Sequence, residues 1–451
     1  MAKLIFSSLN IACTIYVLSI LKGTKDTIII TELGAELISA VKLYGVLPAA
    51  VIFTLFYTKL SNLLTQIQIY HLLNGCFISY FLCFGFFLYP NTSLIHFDFS
   101  EVILRYPYFK YQVLMFANWS YSLFYILSEM WGSVMLPLMF WQIANRIYSV
   151  AEAKKYYPLL ALIGEVGSVL SGVTLSILTR DKTSVSWEIS LKYICITIFI
   201  AGLIISLSVH FLKKYISSEQ TMRPTHSAKP GLIESFRAIL SSKYVMLITT
   251  IVMCYGVSIN LVEGVWKKHL GLLYPHSSDY CNFIAKVQVA MSCSSIFFIL
   301  CSSIVLRKLR WRVGASVTPI TMLITGSLFF TLIVFKGSIS QGWGDHNILF
   351  LCVIIGAIQN IVVKASKYSF FEPTKEMLYI PLDDELKSKG KSVADVLGEK
   401  GGKALGAFIQ WSMLSFITGA TLVSISPYIF FIFLIVVIAW ISAVLLLSRI
   451  V

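Results

Sequence analysis

Apolar blocks of about twenty residues recur along the whole chain, and they constrain the fold more than any other feature. In an α-helix, twenty residues rise about 30 Å, which is the thickness of the hydrocarbon core of a bilayer. Only 13% of the 451 residues are charged and 57% are hydrophobic, whereas a soluble domain carries about 25% charged residues. The pattern therefore predicts an all-α membrane protein.

The polar residues between the blocks set the ends of the predicted spans. The first block lies near the N-terminus, but no A-x-A-like cleavage site follows it and many similar blocks do, so we interpret it as a span and not as a secretory signal. We predict twelve transmembrane helices at about 4–21, 37–57, 69–89, 113–140, 157–178, 192–212, 244–263, 284–305, 318–335, 348–363, 404–424 and 427–447.

The net charge of +14 comes from 36 basic and 22 acidic residues. With both termini in the cytoplasm, most lysine and arginine residues fall in cytoplasmic loops, as the positive-inside rule requires. Two lysines, Lys42 and Lys286, fall within predicted spans. The charge distribution predicts a multi-pass protein whose two termini are cytoplasmic.

A long polar connector near mid-chain divides the spans into six and six. We predict an N-terminal six-helix half over residues 1–215, a cytoplasmic linker over 216–243, and a C-terminal six-helix half over 244–451. Within the linker, an amphipathic stretch at 233–240 is typical of a segment at the membrane surface. Two pseudo-symmetric halves indicate a major-facilitator-like architecture.

A short internal repeat supports this division. The sequence Ile163–Gly167 matches Leu397–Gly401, and Gly172 then matches Gly406 at the same offset. Each copy follows a charged loop and opens the fifth span of its half. Matching both position and context favours duplication over chance.

Charged residues in or beside the spans are the candidate functional residues, because each costs about 2.5–3.5 kcal/mol at a helix centre. Glu129 lies in the middle of a span, Glu263 and Lys25 lie near span ends, and Lys403 enters the eleventh span. The alternatives are a structural ion pair for Glu129, snorkelling for Lys25 and Glu263, and a topological anchor for Lys403.

A basic pair and an acidic pair suit a ligand that is anionic at one end and neutral and polar at the other. Lysines meet phosphates as compact point charges. A carboxylate can accept hydrogen bonds from ribose hydroxyls or an adenine amino group, or it can pair with a lysine. Composition and spacing by themselves therefore predict a carrier of a small anionic solute. They do not show that the solute contains adenine.

An enzyme is not expected. The stretch 398–404 looks like a phosphate-binding P-loop, but its spacer is one residue short and alanine replaces the hydroxyl residue. The nine cysteines form no C-x-x-C pair, and no catalytic or metal-ligating motif is present. We therefore expect no cofactor and no metal.

The motifs around these charged residues resemble a known family. The sequence is similar to the nucleotide transporter family, the ATP/ADP translocases of obligate intracellular bacteria, plastids and some intracellular parasites, over nearly its whole length. The residues that carry the resemblance are Gly23–Asp26, Val46–Ala50, Ser128–Gly132, Phe140–Asn145, Ala151–Lys154, Tyr255–Ser258, Asn260–Lys267, Pro373–Met377 and Tyr379–Leu382.

The resemblance implies a carrier that exchanges ATP for ADP by alternating access, with phosphates bound by lysines in a central site. By motif, the charged residues that the family needs map onto Lys25, Glu129, Glu263 and Lys403. The second-tier substrate-binding candidates, chosen for their proximity in sequence, are Arg146, Asn260 and Lys400. The sequence departs from the family around Lys286, which makes that lysine a candidate for base specificity.

Two alternatives to ATP/ADP exchange stay open. One is an importer of other nucleoside triphosphates, such as GTP, UTP or a broad set, with or without proton coupling. The other is a non-nucleotide anion carrier, a channel or a structural membrane protein. As partners we expect ATP, ADP and the lipid bilayer, no nucleic acid and a monomeric state, and the resemblance places the protein in the cytoplasmic membrane of an intracellular bacterium.

Overall fold

The computed structural model of this chain describes the residues 2–180, 186–215, 242–306, 310–337, 344–379, 398–417 and 419–450. These residues form helices and turns, and no strand occurs among them. The predicted linker over 216–243, with its amphipathic stretch at 233–240, lies almost wholly outside the described residues. The predicted all-α fold is confirmed.

Twelve long helical segments follow one another along the described chain, and each overlaps a predicted span, although α4 begins six residues later than predicted and α11 ends eight residues earlier. They are α1 (Ala2–Glu32), α2 (Leu37–Leu63), α3 (Gln66–Leu88), α4 (Trp119–Ile147), α5 (Val150–Leu178), α6 (Trp187–Leu212), α7 (Lys243–Leu273), α8 (Ser277–Leu306), α9 (Trp311–Val334), α10 (Asp345–Met377), α11 (Gly401–Phe416) and α12 (Ser426–Leu447).

Eleven of these segments are long and apolar enough to cross a membrane. The exception is α11, whose 16 residues rise about 24 Å. A short π-helical turn at 398–400 immediately precedes it. A chain with this many spanning helices is a multi-pass membrane protein.

Turns of π-helix interrupt several spans, and two of these turns contain lysines that belong to the charge clusters described below. One of them, Val41–Val46 in α2, contains Lys42, and another, Lys367–Phe371 in α10, begins with Lys367. Such insertions occur frequently at functional sites, because they redirect side chains within an otherwise regular helix.

The described residues form two compact units. The first comprises residues 2–37, 44–215 and 274–293, and the second comprises 38–43, 242–273 and the described residues from 294 onward. The second unit thus includes the segment with Lys42, and the first includes the beginning of α8. The division into two six-helix halves around the linker stays a prediction.

The glycines of the repeat have the same structural role in each unit. In the first unit, a Cβ atom at Gly164 of α5 would collide with the side chain of Ile15 in α1. In the second unit, a Cβ atom at the matching Gly398, just before α11, would lie 2.9 Å from Cβ of Val252 in α7. Small residues let helix backbones approach closely inside a membrane. The repeat therefore encodes one close helix pair in each unit.

Candidate functional site

The first unit contains a buried cluster around Lys25 of α1. Its Nζ atom lies 2.7 Å from Oδ1 of Asp26 and 3.0 Å from Oε1 of Glu129 in α4. The same ammonium lies 3.9 Å from the centre of the Tyr125 ring, which is within the range of a cation–π interaction. Lys25 is only 3% exposed, so its charge is compensated inside the protein.

The sequence around Lys25 explains how α1 can hold a charged residue inside the core of the unit. Nearly all residues between 19 and 30 are buried. The hydroxyl of Thr24 donates a hydrogen bond to the backbone oxygen of Ile20, and that of Thr27 donates to the backbone oxygen of Gly23. These polar groups are satisfied within the helix, which leaves the two carboxylates for the lysine.

The second unit contains a cluster around Glu263, which we call the Glu263 cluster. Oε1 of Glu263 lies 3.2 Å from Nζ of Lys364 in α10, and its Oε2 lies 3.8 Å from Nζ of Lys267, one turn further along α7. The charge of Lys42 acts on the same carboxylate. The structure therefore places Lys42, which had no role from the sequence, beside a predicted site residue.

A second group of charges in this unit centres on Glu399, and we call it the Glu399 cluster. Oε1 of Glu399 lies 3.0 Å from Nζ of Lys403 and 3.1 Å from Nζ of Lys367. Lys367 also lies 3.4 Å from Glu372, which pairs with Lys375 at 2.8 Å. The side chain of Lys403 is 50% exposed, so it is the accessible cation of the cluster.

Aromatic side chains support Lys367 from one side. Its Nζ atom lies 5.0 Å from the centre of the Tyr255 ring. That ring stacks on Phe371 at 5.3 Å and contacts the edge of Trp440 at 5.8 Å. Because the ring faces of aromatic residues attract cations, this arrangement holds a buried ammonium in place without neutralising it.

The two clusters of the second unit both include lysines of α10, and α7 contributes to the surroundings of both. Lys364 and Lys367 are one turn apart on α10, while Tyr255 and Glu263 are two turns apart on α7. Within the described residues, six lysines gather around three glutamates in the two clusters. In the Lys25 cluster, by comparison, one lysine contacts two carboxylates.

The second-tier candidates lie apart from these charges or have packing roles. Arg146 follows Glu129 by seventeen residues on α4, about 25 Å along the helix, and its charge acts on Tyr57. Asn260 is buried against Gly406, and its backbone oxygen accepts a hydrogen bond from Gln410.

Lys400 and Lys286 are both exposed. Lys400 lies next to Glu399 in sequence. Among the described residues, Lys286 belongs to none of the three charge clusters. The structure therefore provides no contact that links Lys286 to the other predicted site residues.

Sequence reasoning did not find Lys364, Lys367 and Lys375, because the predicted tenth span ended at residue 363. In the structure α10 continues to Met377, so these lysines lie on a helix and not in a cytoplasmic loop. A signal was present in the spacing, since Glu372 and Lys375 are three residues apart, as helical ion pairs often are.

Comparisons with known proteins agree with this architecture. The family model described as TLC ATP/ADP transporter matches residues 1–450. "ADP,ATP carrier protein 3" of Rickettsia felis is 38% identical over 465 residues, which cover 98% of this chain and 93% of that protein. "ADP,ATP carrier protein 1" of Rickettsia bellii is 36% identical, with 96% and 90% covered.

Among solved structures, a D-xylose–proton symporter has a TM-score of 0.60 at 13% identity, covering 99% of this chain and 96% of that one. A bacterial homologue of the iron transporter ferroportin, in an inward-facing state, has a TM-score of 0.62 at 12% identity, covering 98% of each. These structures confirm the transporter fold, and the family match indicates a transporter and not an enzyme. By the family model over nearly its full length and by its carrier relatives, this chain belongs to the TLC ATP/ADP transporter family.

Proposed function

We propose that this protein exchanges ATP for ADP across a membrane by alternating access, and that its lysines bind the phosphates. One observation carries the proposal within this family of transporters, namely the gathering of six lysines in the Glu263 and Glu399 clusters. A nucleoside di- or triphosphate brings three or four negative charges, and lysines bind phosphates as compact point charges.

In the Glu399 cluster, Lys403 is the first lysine that we assign to phosphate. It is half exposed, whereas Lys367 is buried. Both share one carboxylate oxygen of Glu399. A phosphate oxygen that approaches Lys403 would take over part of the role of Glu399, and charge-assisted hydrogen bonds of this kind are about twice as strong as neutral ones.

In the first unit, the proposal gives different roles to the two partners of Lys25. Asp26 is nearly buried, whereas the side chain of Glu129 is 36% exposed. Glu129 is therefore the carboxylate that can leave the lysine and accept hydrogen bonds from a ribose hydroxyl or a base amino group. Lys25 would then exchange Glu129 for a phosphate oxygen while Asp26 keeps it in position.

Exchange follows from the same charges. Lys367 and Lys403 share one carboxylate oxygen of Glu399, so without a polyanion the two ammonium groups repel each other and reorientation of the unloaded carrier has a high barrier. A bound nucleotide neutralises them, and a barrier lower by about 1.4 kcal/mol already gives a tenfold higher rate. The loaded carrier should therefore reorient much faster than the unloaded one.

Purified protein in lipid vesicles tests this proposal directly. Vesicles preloaded with ADP should take up labelled ATP at least tenfold faster than vesicles without internal nucleotide, and an imposed pH gradient should change the rate little. Accumulation in vesicles without internal nucleotide, driven by a proton gradient and insensitive to preloading, would instead indicate a proton-coupled importer.

A competition panel tests the choice of base. Unlabelled ADP and ATP should compete with labelled ATP more strongly than GTP, UTP or inorganic phosphate does. Equal competition by all nucleoside triphosphates would favour the broader importer. The same panel with Lys286→Ala tests the specificity role proposed for Lys286, since only a changed order of competitors assigns that role.

We also propose that both termini face the cytoplasm of an intracellular bacterium and that the carrier acts as a monomer. The excess of lysine and arginine in the predicted cytoplasmic loops supports the orientation. Reporter fusions at the two termini test it, and the mass of the purified carrier in nanodiscs tests the oligomeric state.

A further inference from the structure

The connection between α3 and α4 exposes an unusual number of large apolar and aromatic side chains. Residues 92–117, which we call the aromatic segment, form a series of short helices. Its exposed large side chains are Leu94, Phe97, Phe99, Val102, Leu104, Tyr106, Tyr108, Phe109 and Phe116. Large apolar side chains exposed together in one segment mark an interaction site when they lie outside a hydrophobic core.

Hydrogen bonds fix the aromatic segment to the beginning of α4. The backbone nitrogen of Phe97 donates to the backbone oxygen of Ala117 at 3.0 Å. The indole nitrogen of Trp119 donates to the backbone oxygen of Ile95 at 2.9 Å. Both ends of the segment are therefore tied to one place, and its exposed side chains belong to a defined surface.

The position of the segment in the chain indicates what covers this surface. It begins four residues after α3 ends at Leu88 and ends two residues before α4 begins at Trp119. Both helices are long and apolar enough to cross the membrane, so the segment starts and ends at the edge of the bilayer. Its helices have at most eight residues, which is too short to cross.

The acidic and basic residues of the aromatic segment are equal in number. Asp98 and Glu101 are exposed, and so are Arg105 and Lys110. The segment therefore has no net charge with which to attract anionic lipids. Tyrosine and other aromatic rings, in contrast, are enriched at the boundary between headgroups and hydrocarbon, where one side of the ring contacts acyl chains and the other stays near water.

We propose that the aromatic segment lies in the headgroup region of the bilayer, with its aromatic and leucine side chains inserted among the lipids. The attachment is apolar and aromatic, and it does not depend on anionic lipid. The segment thereby anchors the ends of α3 and α4 at a fixed depth in the bilayer. Helices that lie in the membrane surface are held in the same way, by burying their apolar face at the boundary between headgroups and acyl chains.

Nitroxide labels on the full-length carrier in lipid vesicles test the proposal. An encoded ketone amino acid at Leu104 or Phe109, which are 82% and 59% exposed, accepts the label without use of the native cysteines. Ile435, exposed in the middle of α12, serves as a lipid-facing reference, and Thr421, exposed in the connection before it, serves as a polar reference. Thermal unfolding of each labelled protein shows that it is folded.

For each label, the measured quantity is the ratio of its relaxation by molecular oxygen to its relaxation by a water-soluble nickel complex. We expect this ratio to be at least threefold higher for the labels at Leu104 and Phe109 than for the label at Thr421. The ratio should be the same in phosphatidylcholine and in mixtures with phosphatidylglycerol. Labels as accessible to nickel as Thr421 would place the segment in water, and labels shielded from both reagents would place it under another protein. Either result overturns the proposal, and a ratio that rises with anionic lipid overturns its apolar basis.

Discussion

Oε1 of Glu399 lies 3.1 Å from Nζ of Lys367, although the two residues are 32 positions apart in the sequence. The same oxygen also accepts a hydrogen bond from Lys403. One carboxylate thus separates two ammonium groups that would otherwise repel each other inside the second unit.

Replacing that carboxylate should destabilise the protein. Glu399→Gln leaves the buried Lys367 without its closest counter-charge, and we expect a loss of about 2 kcal/mol, less than for a fully buried pair because Glu399 is partly exposed. Glu188→Gln is the matched control, since its pair with Lys192 is largely exposed and should be worth less than about 0.5 kcal/mol. Thermal unfolding in detergent measures both, and equal shifts would contradict the role of Glu399.

The lysines assigned to phosphate should be needed for transport. Lys25→Ala and Lys403→Ala should each lower ATP uptake at least tenfold with normal membrane insertion, because each removes a cation that meets the ligand. Arginine at either position should restore only part of the rate, since a planar guanidinium does not reproduce an ammonium. Lys192→Ala is the control and should transport normally. Normal uptake by both test variants would leave Lys25 and Lys403 as anchors only.

Glu129 and Asp26 should differ in what they do for Lys25. Glu129→Gln leaves the closer partner, Asp26, in place, so it should change stability by less than about 1 kcal/mol while altering affinity or the order of competing nucleotides. Asp26→Asn removes the more buried partner and should lower stability more. Thermal unfolding and the competition panel separate the two effects. A larger stability loss in Glu129→Gln, with unchanged selectivity, would assign Glu129 to packing.

Glu263 provides a parallel test in the second unit. Its two oxygens contact Lys364 and Lys267, so Glu263→Gln removes one negative charge from the cluster. If the lysines bind phosphates, the variant should retain nucleotide binding but release nucleotide more slowly, with uptake reduced at least tenfold. Binding by calorimetry and uptake in vesicles measure these separately. A variant with normal uptake and lower thermal stability would indicate a purely structural carboxylate.

The close approach of α7 and α11 should depend on one glycine and not on its neighbour. A Cβ atom at Gly402 would lie 2.5 Å from the backbone oxygen of Met253. A Cβ atom at Gly401 would lie 3.9 Å from the terminal methyl carbon of the Met253 side chain, which is flexible. Gly402→Ala should therefore cost about 1–3 kcal/mol through overpacking. Gly401→Ala should be neutral or slightly stabilising, because alanine favours helix. Equal melting temperatures for the two variants would contradict this packing.

Acid should weaken one contact at the start of α5. Hydrogen bonds from Lys3 and from the backbone of Ser149 hold the pKa of Glu152 below its ordinary value of 4.5. Since the folded-state pKa is the lower one, the carboxylate stabilises the fold above pH 4.5, and this contribution disappears as the pH falls below that value. Glu152→Gln should therefore unfold at a lower temperature than the parent protein at pH 7, and the difference should shrink at pH 4. A difference independent of pH would contradict the pairing.

Much of the fold was predictable from local properties of the sequence. Each predicted span overlaps a helix because about twenty apolar residues are sufficient to define a membrane helix. The end of the tenth span was predicted too early, since Lys364 and Lys367 resemble the start of a polar loop. In the structure, Glu263 and Glu399 compensate these charges, so the helix continues through them.

The sequence by itself determined the membrane class, the helical segments and the charged positions at Lys25, Glu129, Glu263 and Lys403, because the cost of a charge in hydrocarbon is a property of one residue and its neighbours. Only the tertiary structure decided the partners, including Glu129 for Lys25 and Lys367 for Glu399. The reason is that an ion pair depends on the distance between two side chains, and its energy falls steeply as charges separate and are screened. That distance is set by how distant helices pack, through contacts such as those of the repeat glycines, and not by spacing along the chain.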